Sequence, residues 1–215
     1  MLMFTQFCYM LLSRHPDVVQ QLREEHTKVF AASFQETLSI LHDNPHKLNE
    51  LSYTTAVIRE TLRLFPIGFG VKAAAPDAML TSKKEGQSFP IGHNLAVVPL
   101  WHHMHYNPSY FEDPASFKPE RFLDPELVTR GSMRTFSRGP RGCAGQELAL
   151  QELCIILLMT IRDFEFEYVS GAPNGKARVT YTDLDKTFGA VVFQELGMEA
   201  KPRSGMTMFK VRKVD

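Results

Sequence analysis

A lone cysteine lies among glycines and arginines just ahead of a long apolar segment. Residues 136–149 read FSRGPRGCAGQELA, with Cys143 three residues before Gln146. Backbone N–H groups at a helix start favour a thiolate, and Arg138 and Arg141 add positive charge beside it. Thiolates bind metals, and the glycines would let the backbone approach a large flat group. On these residues alone, a metal-ligating cysteine and a structural free cysteine are equally favoured.

A second group of charged residues is predicted to lie inside the protein. Glu60 and Arg63 share one face of a helix at a spacing of three residues, and apolar residues surround them in VIRETLRLF. A buried carboxylate and guanidinium both need partners. Arg121, between two phenylalanines in FKPERF, could give Glu60 a second guanidinium. A buried structural pair is therefore favoured over a surface ion pair.

The elements that would position these residues are several helices with short strands between them, a mainly α fold with small β-sheets (α+β). Periodicity and proline positions predict three helices. The first begins at Pro16, the second has Asn49 or Ser52 as its N-terminal cap and ends before Pro66, and the third runs from Gln146 to Arg162 as a buried core helix. A small sheet is predicted within residues 68–76 and 89–100, an irregular segment over 106–131, and strands at Glu165–Val169 and Met206–Val211.

Composition limits the class of protein. The 215 residues carry 24 basic and 24 acidic side chains, so net charge gives no reason to expect nucleic-acid binding. Three widely spaced cysteines without a CxxC indicate neither a disulfide framework nor a zinc ribbon. The apolar run Met1–Leu12 is shorter than the roughly 20 residues that span a bilayer. It is typical of the end of a buried helix, so we expect that the natural start has been lost.

Three motifs, in order, resemble the haem-thiolate monooxygenases of the cytochrome P-450 superfamily. Glu60 and Arg63 fit that family's E-x-x-R helix, and Pro119–Phe122 fit its P-E-R-F segment. The family's signature F-x-x-G-x-R-x-C-x-G is matched by Phe136, Gly139, Arg141, Cys143 and Gly145. The resemblance covers almost the whole chain, and the stretch GQELAL is most similar to fungal members.

The resemblance implies a role for each matched residue. Cys143 would be the proximal thiolate ligand of the iron of haem b, Phe136 would pack near the porphyrin, and Arg141 would bind a propionate. Lys72 stands where family members often place an arginine for the other propionate. Gly139 and Gly145 would let the backbone pass close below the macrocycle. A structural triad of Glu60, Arg63 and Arg121 would hold the loop that carries Cys143.

The resemblance also implies a function and an incomplete domain. Family members insert one oxygen atom of O2 into a hydrophobic organic substrate, with electrons from NADPH through a cytochrome reductase. Intact eukaryotic members lie at the endoplasmic reticulum membrane. Residues 1–215 would be a single partial domain, the carboxy-terminal half of the fold. The distal oxygen-activating helix would be absent, so no catalytic proton donor is identified.

Other interpretations remain open at this point. The chain could be a truncated, non-catalytic haem-binding or unfolded fragment. The stretch WHHMH could form a zinc site from His102, His103 and His105 with His93 nearby, although an ordinary surface or core role is favoured for these histidines. The stretch GPRGCAG could be a phosphate-binding loop, although it lacks a G-K-[ST] ending. Three apolar residues are candidates for a substrate wall, although core packing is favoured for each: Ile67, Phe69 and Phe188.

Overall fold

A computed structural model describes residues 2–31, 33–68, 70–82, 84–92, 95–128, 131–169, 194–196, 200–202 and 208–214. Its helices are α1 (Leu2–Leu12), α2 (Pro16–Val29), α3 (Phe34–Asp43), α4 (Ser52–Leu64), α5 (Trp101–His105) and α6 (Gln146–Thr160). Its strands are β1 (Lys72–Ala73), β2 (Met79–Thr81), β3 (Ser88–Pro90), β4 (Ala96–Val97), β5 (Phe164–Val169), β6 (Gln194–Leu196), β7 (Ala200–Pro202) and β8 (Met208–Lys213).

The first helix is part of the hydrophobic core, as its apolar sequence predicts. Phe4, Phe7 and Leu11 are almost completely buried, and α1 contacts α2, α4 and β5. The Phe7 ring stacks on Phe65 at the end of α4, with ring centroids 4.2 Å apart. Burying aromatic rings of this size contributes much of a core's stability, so α1 and α4 are held together mainly by apolar contact.

The start of α4 is capped by a carboxylate from another helix. Glu25 of α2 accepts hydrogen bonds from the backbone N–H of Tyr53 at 2.6 Å and of Thr54 at 2.8 Å, and from the Thr54 hydroxyl at 2.7 Å. The prediction that Asn49 or Ser52 caps this helix is therefore wrong. A carboxylate accepts hydrogen bonds from two N–H groups, and its negative charge is stabilised by the positive end of the helix dipole. A neutral hydroxyl cap gains less from the dipole.

The small sheets are antiparallel two-stranded ribbons, and they confirm the predicted mixture of helices with short strands. β1 pairs with β4, β2 with β3, β6 with β7, and β5 with β8. In the last pair Phe164 lies opposite Lys213 and Val169 opposite Met208. The strands predicted at Glu165–Val169 and Met206–Val211 are thus present, with shifted ends.

Two features of the helices differ from the sequence prediction. Helix α3 was not predicted, although Ser33 accepts a hydrogen bond from the N–H of Glu36, the pairing expected of an S-x-x-E start. Helix α6 is buried on only one side, because Leu148 is 70% exposed and Ile155 is 39% exposed. The prediction of a buried core helix is confirmed at Leu153, Leu157 and Leu158 and is wrong at Ile155. Among the described helices, none has both the length and the apolar character needed to cross a bilayer.

The inter-helix cap generates a stability prediction. In Glu25→Gln one carboxylate oxygen becomes an amide N–H2 facing other donors, so α4 loses part of its cap. We expect the free energy of unfolding, measured with urea, to fall by about 2 kcal/mol. The matched control is Glu24→Gln on the exposed side of the same helix, which should change it by less than about 0.5 kcal/mol. Equal effects of the two substitutions would contradict the capping role.

Candidate functional site

A fully buried carboxylate joins α4 to the chain that follows α5. Glu60 binds Arg63 in a two-pronged ion pair, with Nε to Oε2 at 2.7 Å and Nη2 to Oε1 at 2.8 Å. Oε1 also accepts from Arg121 Nε at 3.1 Å and from the N–H of Lys118 at 2.9 Å. Four hydrogen bonds to one carboxylate offset the cost of removing its charge from water.

The Arg63 guanidinium uses its remaining N–H groups on backbone carbonyls. Nη1 donates to His105 O at 2.8 Å and to Pro114 O at 2.7 Å, and Nη2 donates to Ser116 O at 3.1 Å. The group also lies 5.1 Å from the centre of the Phe111 ring. The Glu60–Arg63 pair is therefore the point at which the irregular segment 105–121 is fixed to α4.

The cysteine loop, residues 134–143, is attached to the end of the same helix. The Thr135 hydroxyl donates to Leu62 O at 3.0 Å. Within the loop, the N–H of Cys143 donates to Phe136 O at 2.9 Å, which closes it. Two residues adopt positive φ, Ser137 at 62° and Gly139 at 78°, and these turns let the loop fold back before α6 begins.

The three thiols are in different surroundings. Cys143 is exposed and lies two residues before Gly145, the residue preceding α6. Burial raises the pKa of the Cys8 thiol to about 12 and also raises the pKa of Cys154. These two cysteines are therefore neutral core residues, and Cys143 is the thiol that a ligand can reach. A Cβ on Gly145 would lie 4.0 Å from the Cys143 sulfur, which is an ordinary van der Waals contact.

A basic cavity of about 880 Å³ opens beside this loop. Trp101 and Gly70 form part of its wall, and a Cβ on Gly70 would approach the Trp101 ring to 3.2 Å. The described lining contains no carboxylate. Its charged members are four cations, Lys72, Arg134, Arg138 and Arg141, which suit a ligand that carries two negative groups.

Phe136 lies on the other side of the loop. Its half-buried side chain packs against the hydrophobic core, and it lines a separate cavity of about 360 Å³ together with Leu62 and Leu150. Of the signature residues, Phe136 therefore lines this cavity and Arg141 lines the basic cavity, whereas Gly139, Cys143 and Gly145 are in the lining of neither. Sequence reasoning missed two members of the basic cavity, Arg134 and Trp101, because neither belongs to a motif and the fold alone brings them to Lys72.

The histidine cluster does not form the zinc site considered above. Both ring nitrogens of His105 are engaged, Nδ1 with Arg63 O at 2.9 Å and Nε2 with the N–H of Arg134 at 3.0 Å. The His102 ring lies against the Tyr106 ring at a tilt of 34°, with ring centroids 4.5 Å apart. His93 lies outside the described residues, and no group of three metal-ligating side chains occurs among those described.

The phosphate-loop alternative also fails on its hydrogen bonds. The N–H of Gly142 donates to Gly139 O at 2.9 Å, and that of Cys143 is occupied by Phe136 O. A phosphate cradle needs successive N–H groups directed at the ligand. In this loop two of them are used internally.

Comparison with known proteins identifies relatives. The family model described as cytochrome P450 matches residues 3–179. The cytochrome P450 monooxygenase acrF of Aspergillus aculeatus is 32% identical over 94% of this chain and 45% of its own length. The cytochrome P450 monooxygenase ptmJ of Penicillium ochrochloron is 37% identical over 78% of this chain and 33% of its own length. The cytochrome P450 monooxygenase PC-23 of Penicillium crustosum is 34% identical over 75% of this chain and 79% of its own length. The chain thus spans less than half the length of acrF and about a third of that of ptmJ.

The buried carboxylate generates the next prediction. Glu60→Gln preserves volume but leaves the guanidiniums of Arg63 and Arg121 buried without their counter-charge. We expect the free energy of unfolding to fall by about 3–5 kcal/mol in urea titrations.

The matched control removes a surface ion pair from the same region. Lys118→Gln breaks the exposed bond to Asp113 but keeps the backbone bond from residue 118 to Glu60. It should leave the unfolding midpoint unchanged. A Glu60→Gln protein as stable as this control would show that the buried pair does not hold the region together.

Proposed function

This chain belongs to the cytochrome P450 family, and on that premise we propose that it binds haem b with Cys143 as the thiolate ligand of the iron and acts in a monooxygenase reaction. The main support for this proposal is the exposed Cys143 thiol, which is two residues from Arg141 in the lining of the basic cavity. Neither of the other cysteines is available to a ligand.

The donor set fits haem better than a bare metal ion. A structural zinc ion needs four protein ligands, and Cys143 has no grouped partners among the described residues. Haem brings four nitrogen ligands of its own and requires one axial residue from the protein. Its two propionates are anionic, and the cavity offers Lys72 and Arg141 to bind them, with Arg134 and Arg138 nearby.

The residues of the chain would bind the haem and hold the cysteine loop in place. Gly139 and Gly145 keep the backbone around the thiolate free of side chains, and Phe136 supports the loop from the core side. The triad of Glu60, Arg63 and Arg121 holds segment 105–121 against α4. When bound, a thiolate-ligated haem supplies O–O bond cleavage, because the sulfur donates electron density to the iron.

The proposed overall reaction converts a hydrophobic substrate RH, O2, NADPH and one proton into ROH, water and NADP⁺. Electrons would come from NADPH through a cytochrome reductase, at the endoplasmic reticulum membrane. Family membership and the monooxygenase names of the relatives support this proposal. Of the three candidate substrate-wall residues, Ile67 is half-buried against the core, whereas Phe69 and Phe188 lie outside the described residues.

The proposal is tested with the purified chain titrated with haem, then reduced and exposed to carbon monoxide. We expect one haem per chain and the strongly red-shifted Soret band of a thiolate ligand. Cys143→Ser should abolish this band, because a hydroxyl does not replace a thiolate as ligand. The control, Cys154→Ala, removes a buried thiol and should retain the band.

Two results would contradict the proposal. One is a Soret band typical of histidine ligation in the unaltered chain, and the other is a thiolate band that survives Cys143→Ser. Stoichiometric haem binding without turnover, when reductase and substrate are supplied, would favour the alternative of a non-catalytic haem-binding chain.

A further inference from the structure

One fully buried histidine joins the end of α4 to the start of the cysteine loop. His105, the last residue of α5, has no exposed surface. Its Nδ1 lies 2.9 Å from Arg63 O, and its Nε2 lies 3.0 Å from the backbone N of Arg134. The ring therefore bridges the buried arginine and the first residue of the loop that carries Cys143.

The partners of the ring fix its tautomer. A carbonyl oxygen only accepts, so Nδ1 must carry the proton that is donated to Arg63 O. A backbone N–H only donates, so Nε2 must present its lone pair to Arg134. The ring is consequently neutral, with its proton on Nδ1. A second proton on Nε2 would face the N–H of Arg134 and break that bond.

The connection continues from Arg134 to the cysteine. Arg134 O accepts the N–H of Ser137 at 2.8 Å, and Phe136 O accepts the N–H of Cys143 at 2.9 Å. The Arg134 side chain also lines the basic cavity. Displacing the backbone of Arg134 would therefore disturb both the closure of the loop and one of the cavity's cations.

We propose that His105 is a positioning residue whose neutral Nδ1–H tautomer holds the cysteine loop in the conformation that presents Cys143. The effect on haem ligation rests on the proposed haem-thiolate function. The hydrogen bonds from His105 to Arg63 and Arg134 are present in the chain without any ligand.

The surroundings of the ring favour the neutral form. Burial lowers the pKa of His105 to about 4, while the bond to Arg63 O raises it and the charges of Arg63 and His102 lower it. The charged and titratable groups around the ring are Arg63 from α4, His102 from α5, and Arg134 from the loop, and Phe111 contributes an uncharged ring edge. Because the folded pKa lies below the ordinary value near 6.5, the link is intact at neutral pH. It is lost as pH falls toward about 4.

Two substitutions separate the bonds of the ring. In His105→Gln the amide oxygen has the reach of Nε2 and can still accept from Arg134. In His105→Asn the amide nitrogen has the reach of Nδ1 and can still donate to Arg63 O, but nothing reaches Arg134. His103→Gln, at an exposed position of the same helix, is the matched control.

The readout is hydrogen-exchange protection of the backbone amides of Arg134 and Cys143 in the chain without haem. We expect His105→Asn to lower both protection factors about tenfold at pH 7, and His105→Gln and the control to retain them. In the unaltered chain both factors should fall between pH 6.5 and 4, whereas in His105→Gln they should not. In haem-loaded protein, His105→Asn should lower the fraction of thiolate-ligated haem and His105→Gln should restore it.

The outcomes distinguish this inference from the proposed function. Protection that is unchanged in His105→Asn, or lost at Arg134 but kept at Cys143, would overturn the positioning role. Protection that changes as expected in a chain that binds no haem would support the His105 link and contradict the haem-thiolate function. A thiolate band that His105→Asn leaves intact would also overturn the positioning role.

Discussion

The rest of the structure depends on one buried carboxylate that binds two guanidiniums. Glu60 has no exposed surface, and a lone charge there would be far too costly to keep. Arg63 and Arg121 offset this cost, and their remaining N–H groups must then find carbonyls. They find them in segment 105–121, which has little regular structure to satisfy its own backbone. The ion pair therefore organises a segment that could not organise itself.

The cysteine loop inherits its position from this arrangement. It is tied to the last turn of α4 through Thr135 and through the His105 ring, and it is closed by the bond between Phe136 and Cys143. A helix buried on nearly all sides is a rigid support, so small displacements are costly. A reactive group on an exposed loop is thereby held by buried contacts, as preorganised binding sites require. The stability of this region and the proposed function therefore depend on the same residues.

The sequence predicted interactions that are local and missed those that the fold creates. The spacing of three residues predicted that Glu60 lies beside Arg63, and Pro66 predicted the end of α4. The cap of that helix comes from Glu25, which is 28 residues before Tyr53 and is separated from α4 by the whole of α3, and no local pattern signals it. For His105 a core role was favoured over zinc ligation, but its two partners could not be predicted, because they are backbone groups that leave no trace in a sequence. These contacts become visible only in the folded structure.

If Cys143 ligates haem iron from the loop that Glu60 and its partners support, the iron must have a sulfur neighbour. X-ray absorption at the iron edge of the haem-loaded chain measures this directly. We expect one sulfur atom in the first coordination shell, lost in Cys143→Ser and retained in Cys154→Ala. A first shell of nitrogen and oxygen alone in the unaltered chain would contradict it.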